Sequence, residues 1–168
     1  MTRRRMFLTA LTLALGLTLG AGLRRSDDAP RDRAHVFLAL FEARCLPMLK
    51  GRPADLRGLI GAPATLHDTD HVDRDSSFSV KAEARGCLVS DQFAPLDAAE
   101  VARLAERLRA RIPELTGLAQ SDDVMRLGDV SLGWMQGAPG SPRRHGVQAM
   151  QFGTPPVFLL SLALPPAP

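Results

Sequence analysis

The sequence predicts an α+β domain, an antiparallel sheet of about five strands with two main helices packed on one face. Three observations carry that expectation. Residues 34–48 and 96–112 repeat their apolar side chains every three or four positions. Residues 78–89 and 130–164 instead alternate or form short apolar runs between breakers. The order is helix, hairpin, helix, three-strand meander, with 45% apolar and 23% charged residues, as expected of a packed chain. A mixed sheet, or a half-barrel curled around the longer helix, uses the same elements.

In the first helix Val36, Phe37, Leu40, Phe41, Cys45 and Met48 make the apolar face. Phe37, Phe41 and Cys45 stack at four-residue steps, which turns the cysteine toward the core. Pro47 and Gly51 end this helix. A short second turn is expected over 53–60, with Leu56, Leu59 and Ile60 inward, and then a long polar loop over 61–76. Phe78, Val80 and Ala82 alternate with Ser79, Lys81 and Glu83, the two-residue period of a half-buried strand. Arg85-Gly86 turns the chain, and Cys87-Leu88-Val89 begins the return.

The second helix has the clearest start. Asp97 stands as N-cap with Glu100 three residues on, a capping box, and Leu96 and Val101 form the hydrophobic staple. Val101, Leu104, Ala105, Leu108 and Ile112 make its buried stripe. Arg103, Glu106, Arg107 and Arg109 make a solvated face, and Pro113 closes the helix. Val130, Leu132 and Trp134 then alternate with Ser131, Gly133 and Met135. His145–Phe152 follows, and residues 157–164 are apolar on both faces apart from Ser161, which places that strand inside the sheet. Trp134, with Met135 and Met150 nearby, reads as core and not as a ligand box.

Ahead of this domain (34–164) lie an N-terminal segment, 1–23, and a polar linker, 24–33; residues 165–168 form a disordered tail. Arg3, Arg4 and Arg5 precede an uncharged run over 6–23, and Arg24-Arg25 follow it. The run sits at the lower margin of a bilayer span. A basic start, an apolar middle and small residues at Thr18-Leu19-Gly20 describe a secretory signal, without an Ala-x-Ala cleavage site. Arg4-Arg5-Met6-Phe7-Leu8 resembles the twin-arginine export motif, with Arg3 where Ser or Thr is usual and Thr9 in place of Lys. The resemblance covers the first 25 residues and implies export to the periplasm or beyond, by either the twin-arginine or the general secretory route. An uncleaved segment would instead anchor the chain in the inner membrane, the one membrane contact expected.

The formal charge of +3 comes from 19 arginines and two lysines against 18 acids. Removing residues 1–20 takes away three arginines and no acid, leaving a neutral chain. A neutral surface offers little counterion release, so nucleic acid is not an expected partner. Cys45 and Cys87 are the only cysteines. In an oxidising compartment they pair in the single way open to them, closing a loop worth about 4 kcal/mol.

One cluster invites metal chemistry. His67, Asp68, Asp70, His71, Asp73 and Asp75 fall within nine residues, and His67, His71 and Asp70 are the candidate ligands for a divalent ion. The four-residue histidine spacing shares a face only in a helix, and nothing here has helical amphipathicity. Asp68 replaces the glutamate of a His-Glu-x-x-His motif, the aspartates lack calcium-loop spacing, and Arg74 opposes a cation. A solvated loop is the plainer reading. No Gly-x-Ser-x-Gly elbow, Ser-x-x-Lys pair or phosphate loop is present. His145 beside Arg143 and Arg144 reads as a turn-flanking surface histidine. These features lead to a small, non-catalytic, exported domain that binds a protein or envelope partner and needs no cofactor. A metal-dependent protein and a membrane-anchored accessory subunit are the alternatives.

Overall fold

A computed structural model describes residues 32–61, 70–124, 126 and 128–166. The N-terminal segment read above as an export signal, and nearly all of the linker, lie outside the described residues. Asp32, assigned above to the linker, is the N-cap of α1 (Arg33–Arg44); its carboxylate accepts the His35 N–H at 3.2 Å. The stripe of α1 is buried as expected except at Val36, which is half-buried, and Phe37, Phe41 and Cys45 are at zero exposure. Its end differs. Pro47 has no N–H to continue the α-helical ladder, and the α-helix stops at Arg44. A 3₁₀ turn (Leu46–Lys50) then carries the chain to Gly51 at φ +69°.

No helical turn forms over 53–60. Arg44 donates to the carbonyls of Asp55 (3.2 Å) and Arg57 (2.9 Å), which holds this segment open. Leu56 and Leu59 are half-buried, but Ile60 is exposed and begins a strand. That strand, β1 (Ile60–Gly61), spans the junction of the expected turn and loop, and β2 (Asp70–Val72) lies within the expected loop. They raise the sheet from about five strands to seven; pieces of two and three residues are too short to show a period-two pattern.

β3 (Ser79–Glu83) and β4 (Gly86–Ser90) form the expected hairpin, but Glu83 pairs with Gly86, so the turn is Ala84-Arg85. After α2 (Ala98–Thr116) come β5 (Ser131–Gln136), β6 (His145–Phe152) and β7 (Val157–Ala163). All pairings are antiparallel, in the order β1-β2-β3-β4-β7-β6-β5. β7, the strand with apolar residues on both faces, lies between β4 and β6 as its composition implies.

Strand alternation sorts the sheet. Val80, Val89, Leu160, Ala149 and Leu132 lie side by side in one row. Cys87, Leu162, Val147 and Trp134 make the next, and every member of both rows is buried. Against them pack the buried stripes of α1 and α2 in one core, with Phe37 edge-on to Phe78 at 5.0 Å and Phe158 at 5.7 Å. Met135 and Met150 fall on the opposite face from Trp134, so the three do not form a shared box. Gly146 explains a local constraint. At φ +142°, a Cβ there would lie 2.1 Å from the Trp134 carbonyl oxygen.

The capping box of α2 is present in both directions, with Glu100 N–H to Asp97 at 2.8 Å and Asp97 N–H to Glu100 at 2.9 Å. Pro113 does not end the helix. The chain continues to Thr116 and stops at Gly117, φ +72°, whose N–H reaches the Pro113 carbonyl at 2.9 Å. Proline removes one interior N–H; Thr116 Oγ, bonded to the Ile112 carbonyl at 2.8 Å, supports the turn beyond it.

Candidate functional site

The candidate metal ligands are not gathered by the described residues. Asp70 and His71 are consecutive in β2, where Asp70 sits opposite Lys81 and His71 opposite Val80. Consecutive strand residues point to opposite faces, so these two diverge. His67 and Asp68 lie outside the described residues. Asp73 is committed to a turn, its carboxylate accepting from Ser76 N–H (3.0 Å) and Ser76 Oγ (2.7 Å). Among the described residues, no group of three His, Cys, Asp or Glu side chains could hold a metal ion.

The cysteines are brought together. Cys45, the C-cap of α1, is joined to Cys87 of β4 in a disulfide with Cα atoms 5.4 Å apart and 42 positions between them in the chain. Cys45 has no exposed surface and Cys87 has 3%. The bridge therefore lies inside the core and fastens the end of α1 to the middle of the sheet.

The sequence did not single out the most connected polar cluster. Asp91, 1% exposed, accepts the Leu96 N–H at 2.8 Å and the Phe158 N–H at 2.7 Å, one on each carboxylate oxygen. It thereby ties the segment entering α2 to the start of β7. Burial raises its pKa above the usual carboxylate range, and the N–H donors and Arg33 pull the other way. Arg33 donates to the carbonyls of Ala94 (2.5 Å) and Pro95 (3.0 Å) and pairs with Glu100 at 3.2 Å. Its guanidinium also lies over the Phe78 ring, 5.3 Å from the centroid. The capping box located Asp97 and Glu100, but not the Arg33 partner from α1 or the Asp91 carboxylate just beyond β4.

The arginine face of α2 is partly engaged. Arg107 pairs with Asp32 and Arg111 with Glu42 (3.2 Å) and Glu114 (3.0 Å). The Arg107 hydrogen bond holds the Asp32 carboxyl below its usual range. Arg57 and Arg44 hold the Asp55 carboxyl lower still. Arg144 pairs with Asp123, and His145 Nδ1 lies 2.9 Å from the Arg143 carbonyl. A groove of about 580 Å³ is lined by Pro47 and residues 52–57, and another of about 450 Å³ runs between α1 and α2 past His35, Leu38, Ala39, Glu42, Arg107 and Arg111. Neither holds a nucleophile beside a base. No described helix is long and apolar enough to cross a membrane. Comparison with protein families, with curated proteins and with solved structures found no match.

Proposed function

We propose that this chain is exported across the bacterial cytoplasmic membrane and works in the periplasm or outside the cell as a small, disulfide-stapled, non-catalytic domain that binds a protein or envelope partner. The observation that carries this reading is the Cys45–Cys87 bridge, closed within the core. Structural disulfides persist where the surroundings are oxidising, and reducing cytosol opens them. The basic-then-apolar segment over 1–23 supplies the means of reaching such a compartment. The polar side chains around Asp91 belong to the scaffold, since their donors and acceptors are spent in joining α1, α2 and β7.

Fractionation of a Gram-negative host expressing the full chain tests the proposal. The protein should appear in the periplasmic or culture fraction, and deleting residues 2–23 should leave it in the cytosol. A wild-type chain retained in the cytosol sinks the reading.

A further inference from the structure

Both sulfur atoms of the bridge are enclosed, and enclosure restricts the order of events that can produce it. A disulfide is made by exchange. One cysteine thiolate attacks a sulfur of an oxidant disulfide, forming a mixed disulfide and expelling the oxidant's first thiol. The second cysteine thiolate then attacks the protein sulfur of that mixed disulfide and expels the other thiol. Across both steps two thiols lose two protons and two electrons, and the oxidant becomes a dithiol. The intermediate requires the oxidant's bulk to stand next to Cys45 or Cys87.

The folded domain leaves no such space. Cys45 is fully covered at the end of α1, one turn after the buried Phe41 and three residues before the buried Met48. Cys87 sits in the interior of the sheet, with β3 on one side and β7 on the other, opposite Ala82 and Leu162. An oxidant reaches either sulfur only when α1 has lifted off the sheet.

We infer that the bridge closes before α1 docks, so a thiol–disulfide oxidant acts on this chain while it is unfolded. This rests on the export reading above and adds the route: the chain crosses the membrane unfolded, through the general secretory channel, and not as a folded domain through the twin-arginine system that the segment around Arg4-Arg5 resembles. A domain folded in the cytosol would arrive with both thiols already sealed in.

The test starts from the purified protein, reduced in urea. Half is returned to native buffer and half kept in urea; each receives oxidised glutathione, and free thiols are counted over time by alkylation and mass spectrometry. Fluorescence of the single tryptophan and circular dichroism report whether the reduced chain has refolded. If it has, oxidation in native buffer should be at least about a hundredfold slower than in urea, because only rare opening exposes the sulfurs. If the reduced chain does not refold, closure precedes folding by necessity and the inference also stands. A refolded, reduced domain that oxidises within about threefold of the urea rate overturns it.

The second arm is cellular. Arg4→Lys with Arg5→Lys should leave the exported amount unchanged, and loss of export in this variant, with the wild type exported, contradicts the route. Failure of the export reading is separate: it shows as a wild-type chain that never leaves the cytosol, whatever the oxidation rates.

Discussion

Replacing Asp91 by alanine probes the join between the sheet and α2. The carboxylate is buried and each of its oxygens accepts one backbone N–H, from Leu96 and from Phe158. Alanine leaves both donors in the interior without a partner, at about 1–3 kcal/mol each. Against this stands the relief of no longer burying a carboxylate, whose cost is visible in its raised pKa. We expect a net loss of about 3 kcal/mol. With an unfolding entropy near 2.1 cal/mol/K per residue over roughly 135 residues, that lowers Tm by about 10 °C. Asp91→Asn keeps one acceptor and should cost less. Trp134 is fully buried and is the only tryptophan, so its fluorescence follows global unfolding in urea. Hydrogen exchange at the Leu96 and Phe158 amides gives the local readout, and both should lose protection in the alanine variant. A loss below about 0.5 kcal/mol with both amides still protected refutes the assignment of Asp91 as the tie.

Cys45→Ala with Cys87→Ala removes a link spanning 42 positions and should destabilise the domain by about 4 kcal/mol, read as a shifted urea midpoint; a change under about 1 kcal/mol contradicts the staple. Gly146→Ala places a methyl group 2.1 Å from the Trp134 carbonyl oxygen in a backbone conformation that side chains rarely adopt, and a loss of about 3 kcal/mol is expected from strain and overpacking; wild-type stability would contradict that geometry. Trp134 Nε1 is buried with no hydrogen-bond partner among the described residues, so Trp134→Phe relieves an unmet donor while losing some packing and should stay within about 1 kcal/mol of wild type by circular dichroism. The pH dependence has a definite sign. Asp32 and Asp55 have lowered pKa values when folded, so their contribution is present above about pH 4 and fades as pH falls through the folded values. Asp91 runs opposite, its contribution being lost as pH rises through its raised value. Urea midpoints of Asp55→Asn should therefore fall less on acidification than those of wild type.

Much of the fold was legible because its signals are local and long. The stripe of α2 runs for about three turns and its capping box lies within four residues, so both survive reading from sequence alone. β7 was placeable because apolar residues on both sides need neighbours on both edges. The misses have a common cause in features set by distant partners or by single residues. β2 exists through pairing with β3 and β1 through pairing with β2, not through their own pattern. Pro113 looked like a stop, but the helix tolerates it one turn before Gly117. Asp32 looked like linker because its role depends on His35 and Arg107. The disulfide needed only two cysteines and a compartment. The tie made by Asp91 joins residues up to 67 positions apart, and no spacing rule announces it. The metal candidates could be named from composition; the alternation that separates Asp70 from His71 follows once they lie in a strand.

The central claim is that Cys45 and Cys87 are covalently joined in the protein where it works. Free thiols are blocked with an alkylating reagent in intact cells producing the full chain, and the isolated protein is digested without reductant and mapped by mass spectrometry. One peptide pair linked through Cys45 and Cys87, with neither cysteine alkylated, is the result this account requires. Alkylation of both cysteines in the native protein would contradict it, and the export reading would lose the observation on which it stands.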